Sequence, residues 1–119
     1  MKTLKIFLNT VIATFLFSAA TAQSNNVKTA TIKVNGECSM CKKRIEKAAL
    51  AIKGIQSAVW DVDAKTLTIQ YDPFNSTLPE NVQKKIAAIG HDTEKYIATD
   101  SAYNSLPECC HYQRKDKKQ

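Results

Sequence analysis

Cys38 and Cys41 have two residues between them in Cys38-Ser39-Met40-Cys41, and a second pair, Cys109-Cys110, precedes His111 toward the other end of the chain. Thiolate sulfur is a soft ligand that selects Cu(I) and similar ions. Two thiols at this spacing, spanning a loop and the first turn of a helix, can converge on one point. A helix starting near Ser39 would bring unpaired N–H groups and a positive dipole end to the sulfurs. Lys42, Lys43 and Arg44 add positive charge beside them. Both effects favour thiolate over thiol. A pair of thiolates suits a nearly linear Cu(I) site that stays open to an incoming ligand, and Hg(II) or Ag(I) bind two thiolates as well. Zn(II) is the main competitor. It takes four ligands in structural sites, a set that Cys109, Cys110 or His111 completes if the tail folds back.

Other chemistry is open to the same residues. Cys38 and Cys41 can oxidise to a disulfide that staples the loop. One of Cys109 and Cys110 can pair with the first motif or with another chain. Alternatively, Cys109-Cys110-His111 forms an auxiliary soft-metal site, with Pro107 and Tyr112 holding it against the fold. The Cys-x-x-Cys spacing is also that of thiol-disulfide oxidoreductases, and this is the alternative function. Against it, Glu37 and not an aromatic residue precedes Cys38, and Pro73, Pro79 and Pro107 flank hairpin or helix boundaries. His91, after Gly90, is either an imidazole ligand or a plain loop residue. Trp60 and Tyr71 read as packing residues.

The elements that must position these groups follow from periodicity. Ala30, Ile32 and Val34 alternate with polar residues as in a half-buried strand, and Asn35-Gly36-Glu37 ends it in a turn. Cys41, Ile45, Ala48, Ala49 and Ile52 form one helical stripe, with Gly54 as its C-terminal stop. Residues 55–62 and 66–71 read as an antiparallel hairpin around Asp63-Ala64-Lys65. Pro79 suits the first turn of a second helix, whose buried stripe is Leu78, Val82, Ile86 and Ile89 and which ends at Gly90. A fourth strand is expected over residues 94–98, and a helical turn within residues 100–106. The order β-α-β-β-α-β is the ferredoxin-like split βαβ pattern. The predicted fold is therefore α+β, a four-stranded antiparallel sheet with two helices on one face. Its expected core is Ile32, Val34, Ile45, Ala48, Ile52, Ile55, Leu67, Ile69, Val82, Ile86 and Ile89. Such a fold puts the first loop and the Gly90 loop at one end, with His91 near Cys38.

Met1-Lys2-Thr3-Leu4-Lys5, an apolar run over residues 6–17 and Ala20-Thr21-Ala22 read as a secretory signal peptide over residues 1–22. The run is shorter than the roughly 20 residues of a spanning helix, so the chain is not membrane-spanning after cleavage behind Ala22. The expected location is periplasmic or secreted, where disulfides persist. Residues 23–27 are then a lead-in, 28–99 the folded domain and 100–119 a C-terminal extension. The formal charge of +6 lies mainly in the leader and in the last residues, Arg114, Lys115, Lys117 and Lys118 against Asp116, which read as a solvated tail. No nucleic-acid partner is expected. Lys42, Lys43, Arg44, Lys47 and Lys53 form a basic face on the first helix, either solvated or a docking surface for an acidic partner.

The run Val34-Asn35-Gly36-Glu37-Cys38-Ser39-Met40-Cys41-Lys42-Lys43-Arg44-Ile45-Glu46-Lys47-Ala48 resembles the heavy-metal-associated domain. So do Gly54-Ile55-Gln56-Ser57-Ala58-Val59 and Leu67-Thr68-Ile69-Gln70-Tyr71-Asp72-Pro73, and the likeness covers roughly residues 28–99. The family includes copper chaperones, the mercury-binding periplasmic protein and the N-terminal modules of copper-transporting ATPases. The resemblance implies metal binding at Cys38 and Cys41 without catalysis, and transfer by ligand exchange to or from a partner such as a transporter's soluble domain. That partner would dock on the Lys42/Lys43/Arg44/Lys47 face. In the family a Met ahead of the first cysteine packs beneath the loop; here the loop is one residue shorter, that Met is absent, and Met40 lies inside the motif.

Overall fold

The computed structural model describes residues 26–114. The expected signal peptide over residues 1–22 and the basic residues Lys115, Lys117 and Lys118 lie outside the described residues. The elements are β1 (Lys28–Lys33), α1 (Ser39–Leu50), β2 (Ile55–Asp61), β3 (Thr66–Tyr71), α2 (Leu78–Ala88) and α3 (Asp100–Asn104), followed by one 3-10 turn, Glu108–Cys110. No helix among the described residues is long and apolar enough to cross a membrane.

The sheet is antiparallel with order β1-β3-β2. Alternation sets its two faces. Ile32, Ala58, Trp60, Leu67 and Ile69 are buried, while Thr31, Val59, Thr68 and Gln70 face outward. The helices cover the buried face: α1 lies on β2 and against α2, and α2 reaches β1 and β3. On α1 the stripe Cys41, Ile45, Ala48 and Ala49 is buried; on α2 it is Leu78, Val82, Ile86 and Ala87. Each fully buried Leu or Ile contributes about 1.5–3 kcal/mol. Of the expected core, Ile52 and Ile89 are only partly buried, because each sits where its helix ends. Gly54 and Gly90, after those ends, take positive φ of 100° and 111°, a conformation that costs glycine no Cβ clash.

The expected fourth strand is not formed. Only Val34 and Thr93 make a bridge at the outer edge of β1, flanked by Asn35 N–H donating to the Asp92 carbonyl (2.9 Å) and Glu94 N–H to the Lys33 carbonyl (3.1 Å). Beyond it the amides find side chains instead of a strand. Tyr96 N–H donates to Thr93 Oγ1 (3.0 Å), Lys95 N–H to Gln83 Oε1 (3.0 Å) and Ala98 N–H to Asp92 Oδ1 (2.8 Å). Short polar side chains that compete for backbone partners turn a chain away from a ladder. Thr93, Asp92 and Gln83 do this over residues 94–98, which read as strand.

Trp60 occupies the space under the loop between β1 and α1. It is fully buried, and its indole N–H donates to the Val34 carbonyl (3.0 Å). A Cβ on Gly36 would lie 2.9 Å from the Trp60 ring and 3.1 Å from the Cys41 Cβ. The shortened loop thus rests on an indole where the resemblance implied a methionine, and it needs a residue without a side chain to do so. Gly36→Ala is expected to destabilise the protein by about 1–3 kcal/mol through overpacking. Urea unfolding followed by the fluorescence of Trp60 measures this, and an unchanged midpoint would show that the ring yields freely.

Candidate metal centre

Cys38 is the residue before α1, in extended conformation (φ −136°, ψ 178°), so its side chain leaves the chain just ahead of the helix N-terminus. Cys41 falls on the inward stripe of the first turn and is fully buried. This change of backbone conformation between the two residues brings their sulfurs to 3.6 Å. The Glu37 N–H donates to Cys41 Sγ (3.3 Å). No acidic side chain occupies the first turn, so nothing there opposes negative charge on sulfur.

The C-terminal extension folds back onto this loop. Thr99 caps α3, its Oγ1 accepting the Ala102 N–H (3.1 Å). Leu106 is buried against the core, and Pro107 opens the 3-10 turn, its carbonyl accepting the Cys110 N–H (2.8 Å). The turn sends Cys110 inward, fully buried, with Sγ 3.9 Å from Cys38 Sγ. Cys109 stays exposed, 4.0 Å from Cys110 Sγ. Cys38, Cys109 and Cys110 offer three sulfurs within 4.8 Å of one another. All four cysteines are unbridged within the chain, so the Cys38–Cys41 staple and a bridge from Cys109 or Cys110 to that motif are not formed.

Protonation in this cluster is uneven. Partial burial pushes the Cys38 thiol up, but the Cys41 amide, the Cys109 and Cys41 thiols and the Met40 amide, all directed at its sulfur, outweigh it and lower the value to about 7. Cys109, hydrogen-bonded to Cys38, is pushed up. Cys110 is pushed far up, by burial first and then by the Cys41 and Cys38 sulfurs. Cys38 is therefore more readily ionised near neutrality than Cys109 or Cys110. Any ion bound by more than one of these sulfurs must displace protons, which makes its binding pH-dependent.

The histidines do not join the sulfurs. His91 is fully buried at the expected end of the fold, but Nδ1 pairs with the Asn35 carbonyl (2.8 Å) and the ring stacks on Tyr112 (5.7 Å). Its Nε2 has no hydrogen-bond partner, and burial lowers the pKa, with the Asn35 carbonyl opposing. His111 is exposed and stacks on Tyr103 (5.0 Å). The His91 ring is held by a backbone carbonyl and an aromatic ring, the His111 ring by an aromatic ring alone.

Three other residues at the site carried little sequence signal. Met40 Sδ lies 3.7 Å from Cys109 Sγ; a thioether inside a thiol motif is a soft donor and is the signal that points to it. Asp92 had no signal. Arg114, read as part of a solvated tail, is not solvated: its side chain is 7% exposed and is paired with Asp92 (2.8 Å) and Asp100 (3.0 Å). The flat guanidinium finds carboxylates that lie close only after folding. On the basic face, Lys42 is bound to Glu46 (2.5 Å) and to the Trp60 carbonyl (3.0 Å), so it is less free than Lys43 and Lys47, both exposed.

An open-faced α+β sandwich with a thiol cluster at one end defines a metal-binding module. Residues 30–92 match the heavy-metal-associated domain, and the chain belongs to that family. Family members bind soft metal ions and are generally not enzymes. Among curated proteins, a zinc-transporting ATPase of Synechocystis is 36% identical over 70 residues, 58% of this chain and 10% of that protein. Heavy metal-associated isoprenylated plant protein 1 of Arabidopsis thaliana is 32% identical over 60 residues, 50% of this chain and 24% of that protein. The match thus spans a quarter or less of either relative's length. Among solved structures, a CopZ metallochaperone superposes with a TM-score of 0.52 at 25% identity, covering 56% of this chain and 98% of that one.

Alkylation of the reduced protein across pH, resolved by peptide mass spectrometry, is expected to show Cys38 reacting first. Its rate should rise with pH through a midpoint near 7, because the thiolate is the nucleophile. Cys110 should lag at every pH. A common midpoint at the ordinary thiol value of about 8.5 would contradict the uneven cluster.

Proposed function

We propose that this protein is an exported carrier of a soft metal ion, a Cu(I) metallochaperone or scavenger, with Cys38 and Cys41 as primary ligands. The observation that carries the reading is the convergence of four free thiols at one end of a heavy-metal-associated domain. Cys109 and Cys110 serve the same ion as auxiliary ligands, and Met40 lends a thioether at the exposed side. The cargo enters where Cys38 and Cys109 reach the surface. Cys38 supplies the first thiolate, and the ion displaces protons from the neighbouring thiols. A partner with its own thiolates takes the ion through a shared intermediate, one sulfur replacing another without full release. Lys43, Arg44 and Lys47 on α1 offer an acidic partner, such as a transporter's soluble domain, a complementary surface. The signal-like leader supports a periplasmic or secreted location.

Zn(II) is the second reading. Four thiols in one cluster can satisfy its tetrahedral preference, and one relative is a zinc-transporting ATPase. The test titrates the reduced protein anaerobically with Cu(I) and, separately, Zn(II), in competition with a chelator of known affinity. Cu(I) is expected to bind more tightly. Cys38→Ser/Cys41→Ser should lose affinity by more than the about 10–100-fold typical of second-shell changes at metal sites, and Cys109→Ser/Cys110→Ser by less than the first pair. Full affinity in the first double variant would sink the reading. Thiol exchange activity without metal uptake would replace it with a redox function.

A further inference from the structure

Residues 99–114 do more than add two cysteines. The segment crosses the Gly90 loop, where a Cβ on Gly90 would lie 2.7 Å from the Ala102 carbonyl oxygen, and it ends in a set of polar contacts that do not involve the thiols. Arg114 Nε donates to Asp92 Oδ2 (2.9 Å), and its Nη2 to Asp92 Oδ1 (2.8 Å) and to the Ala98 carbonyl (2.6 Å). Its guanidinium lies over the Tyr103 ring at 4.9 Å. Tyr112 O–H donates to the Gly90 carbonyl (2.9 Å) and accepts the Asp92 N–H (2.8 Å), while Tyr103 O–H donates to the Tyr112 carbonyl (2.6 Å). These bonds tie the segment to residues 90–98 or lie within it, and none touches a sulfur.

The sulfur spacing shows what the segment builds. Taking the zinc–thiolate bond of about 2.3 Å as a guide, two opposed sulfurs lie about 4.6 Å apart, three in a plane about 4.0 Å and four at tetrahedral corners about 3.8 Å. The separations are 3.6, 3.9 and 4.0 Å. Cys38, Cys109 and Cys110, mutually within 4.8 Å, suit an ion shared by three thiolates, and the 3.6 Å between Cys38 and Cys41 is shorter than a linear pair requires.

We infer that residues 99–114 are a clamp that closes over the Cys38–Cys41 loop and converts a two-thiolate carrier site into one of three or four thiolates, with Arg114 as the positioning residue that holds it shut through Asp92. The inference rests on the carrier reading. Closed, the clamp retains the ion; an accepting partner must displace Cys109 and Cys110 as well as compete for the ion.

The test uses the full reduced chain and Cu(I), reading the sulfur count by X-ray absorption and the affinity by competition. Wild type should show three or more sulfurs around the ion. Arg114→Ala should fall to two, with affinity reduced about 10–100-fold, the range for residues that orient metal ligands. Cys109→Ser/Cys110→Ser should fall to the same count, and adding Arg114→Ala to it should change nothing further, since both act through one contact. An unchanged sulfur count in Arg114→Ala overturns the clamp. So does an equal loss when Cys109 and Cys110 are already gone, which would assign Arg114 to the fold in general. Arg114→Lys keeps the charge but not the fork, and should give an intermediate affinity; loss of the folded Trp60 signal in both variants likewise overturns the inference. A wild type with only two sulfurs defeats the clamp and leaves the carrier, whereas a wild type that takes up no Cu(I) defeats the carrier reading itself and the clamp with it.

Discussion

The Asp92–Arg114 pair ties the ends of this fold together. Both side chains are largely out of water, and a charge moved from water must be met by an opposite charge and by hydrogen bonds. Removing one partner of such a pair typically costs about 3–5 kcal/mol. Here the carboxylate accepts from Arg114 and from the Ala98 amide, while the Asp92 backbone joins the edge of β1 through Asn35 and reaches Tyr112 through its N–H. One residue therefore connects the sheet edge, the turn where a fourth strand was expected, and the C-terminal segment that carries two thiols. That connection, together with the burial of Leu106, Cys110 and Tyr112 in the core, holds Cys109 and Cys110 where they lie.

The other end of the site rests on apolar packing. Trp60 fills the space below the loop and bonds the Val34 carbonyl, and Gly36 lies against its ring. The loop is thereby fixed from below by an indole and from above by the returning segment, with Cys110 and Tyr112 buried in the same core as α1 and the sheet. Burial keeps the Cys110 thiol protonated, while amides near the start of α1 favour the Cys38 thiolate. The cluster can thus hold one negative charge before an ion arrives and several afterwards, when a cation replaces the protons.

Much of the framework was legible before folding. Period-2 alternation marked β1 and β3, a 3.6-residue stripe marked α1 and α2, and Gly54 and Gly90 marked the ends of the helices. These signals are local, because a side chain's facing depends on its neighbours along the chain. The segment 94–98 was misread for a related reason: its apolar residues suit a strand, but Gln83, Asp92 and Thr93 claim its amides, and the reach of Gln83 across from α2 is not a property of the segment.

The sequence by itself determined that Cys38 and Cys41 share a loop-helix junction, and so that two soft ligands converge; three residues of separation allow little else. It determined the family as well, since that motif and its surrounding strand and helix pattern are contiguous. Only the tertiary structure decided that Cys109 and Cys110 join them, that Met40 lies beside Cys109, and that His91 and His111 stand aside. Those outcomes depend on contacts between residues far apart in the chain, above all Arg114 with Asp92, and such a contact leaves no periodicity or spacing to read. The pair of cysteines on which the sequence argument began is therefore one side of a larger sulfur cluster, closed by a tail that composition alone had marked as solvated.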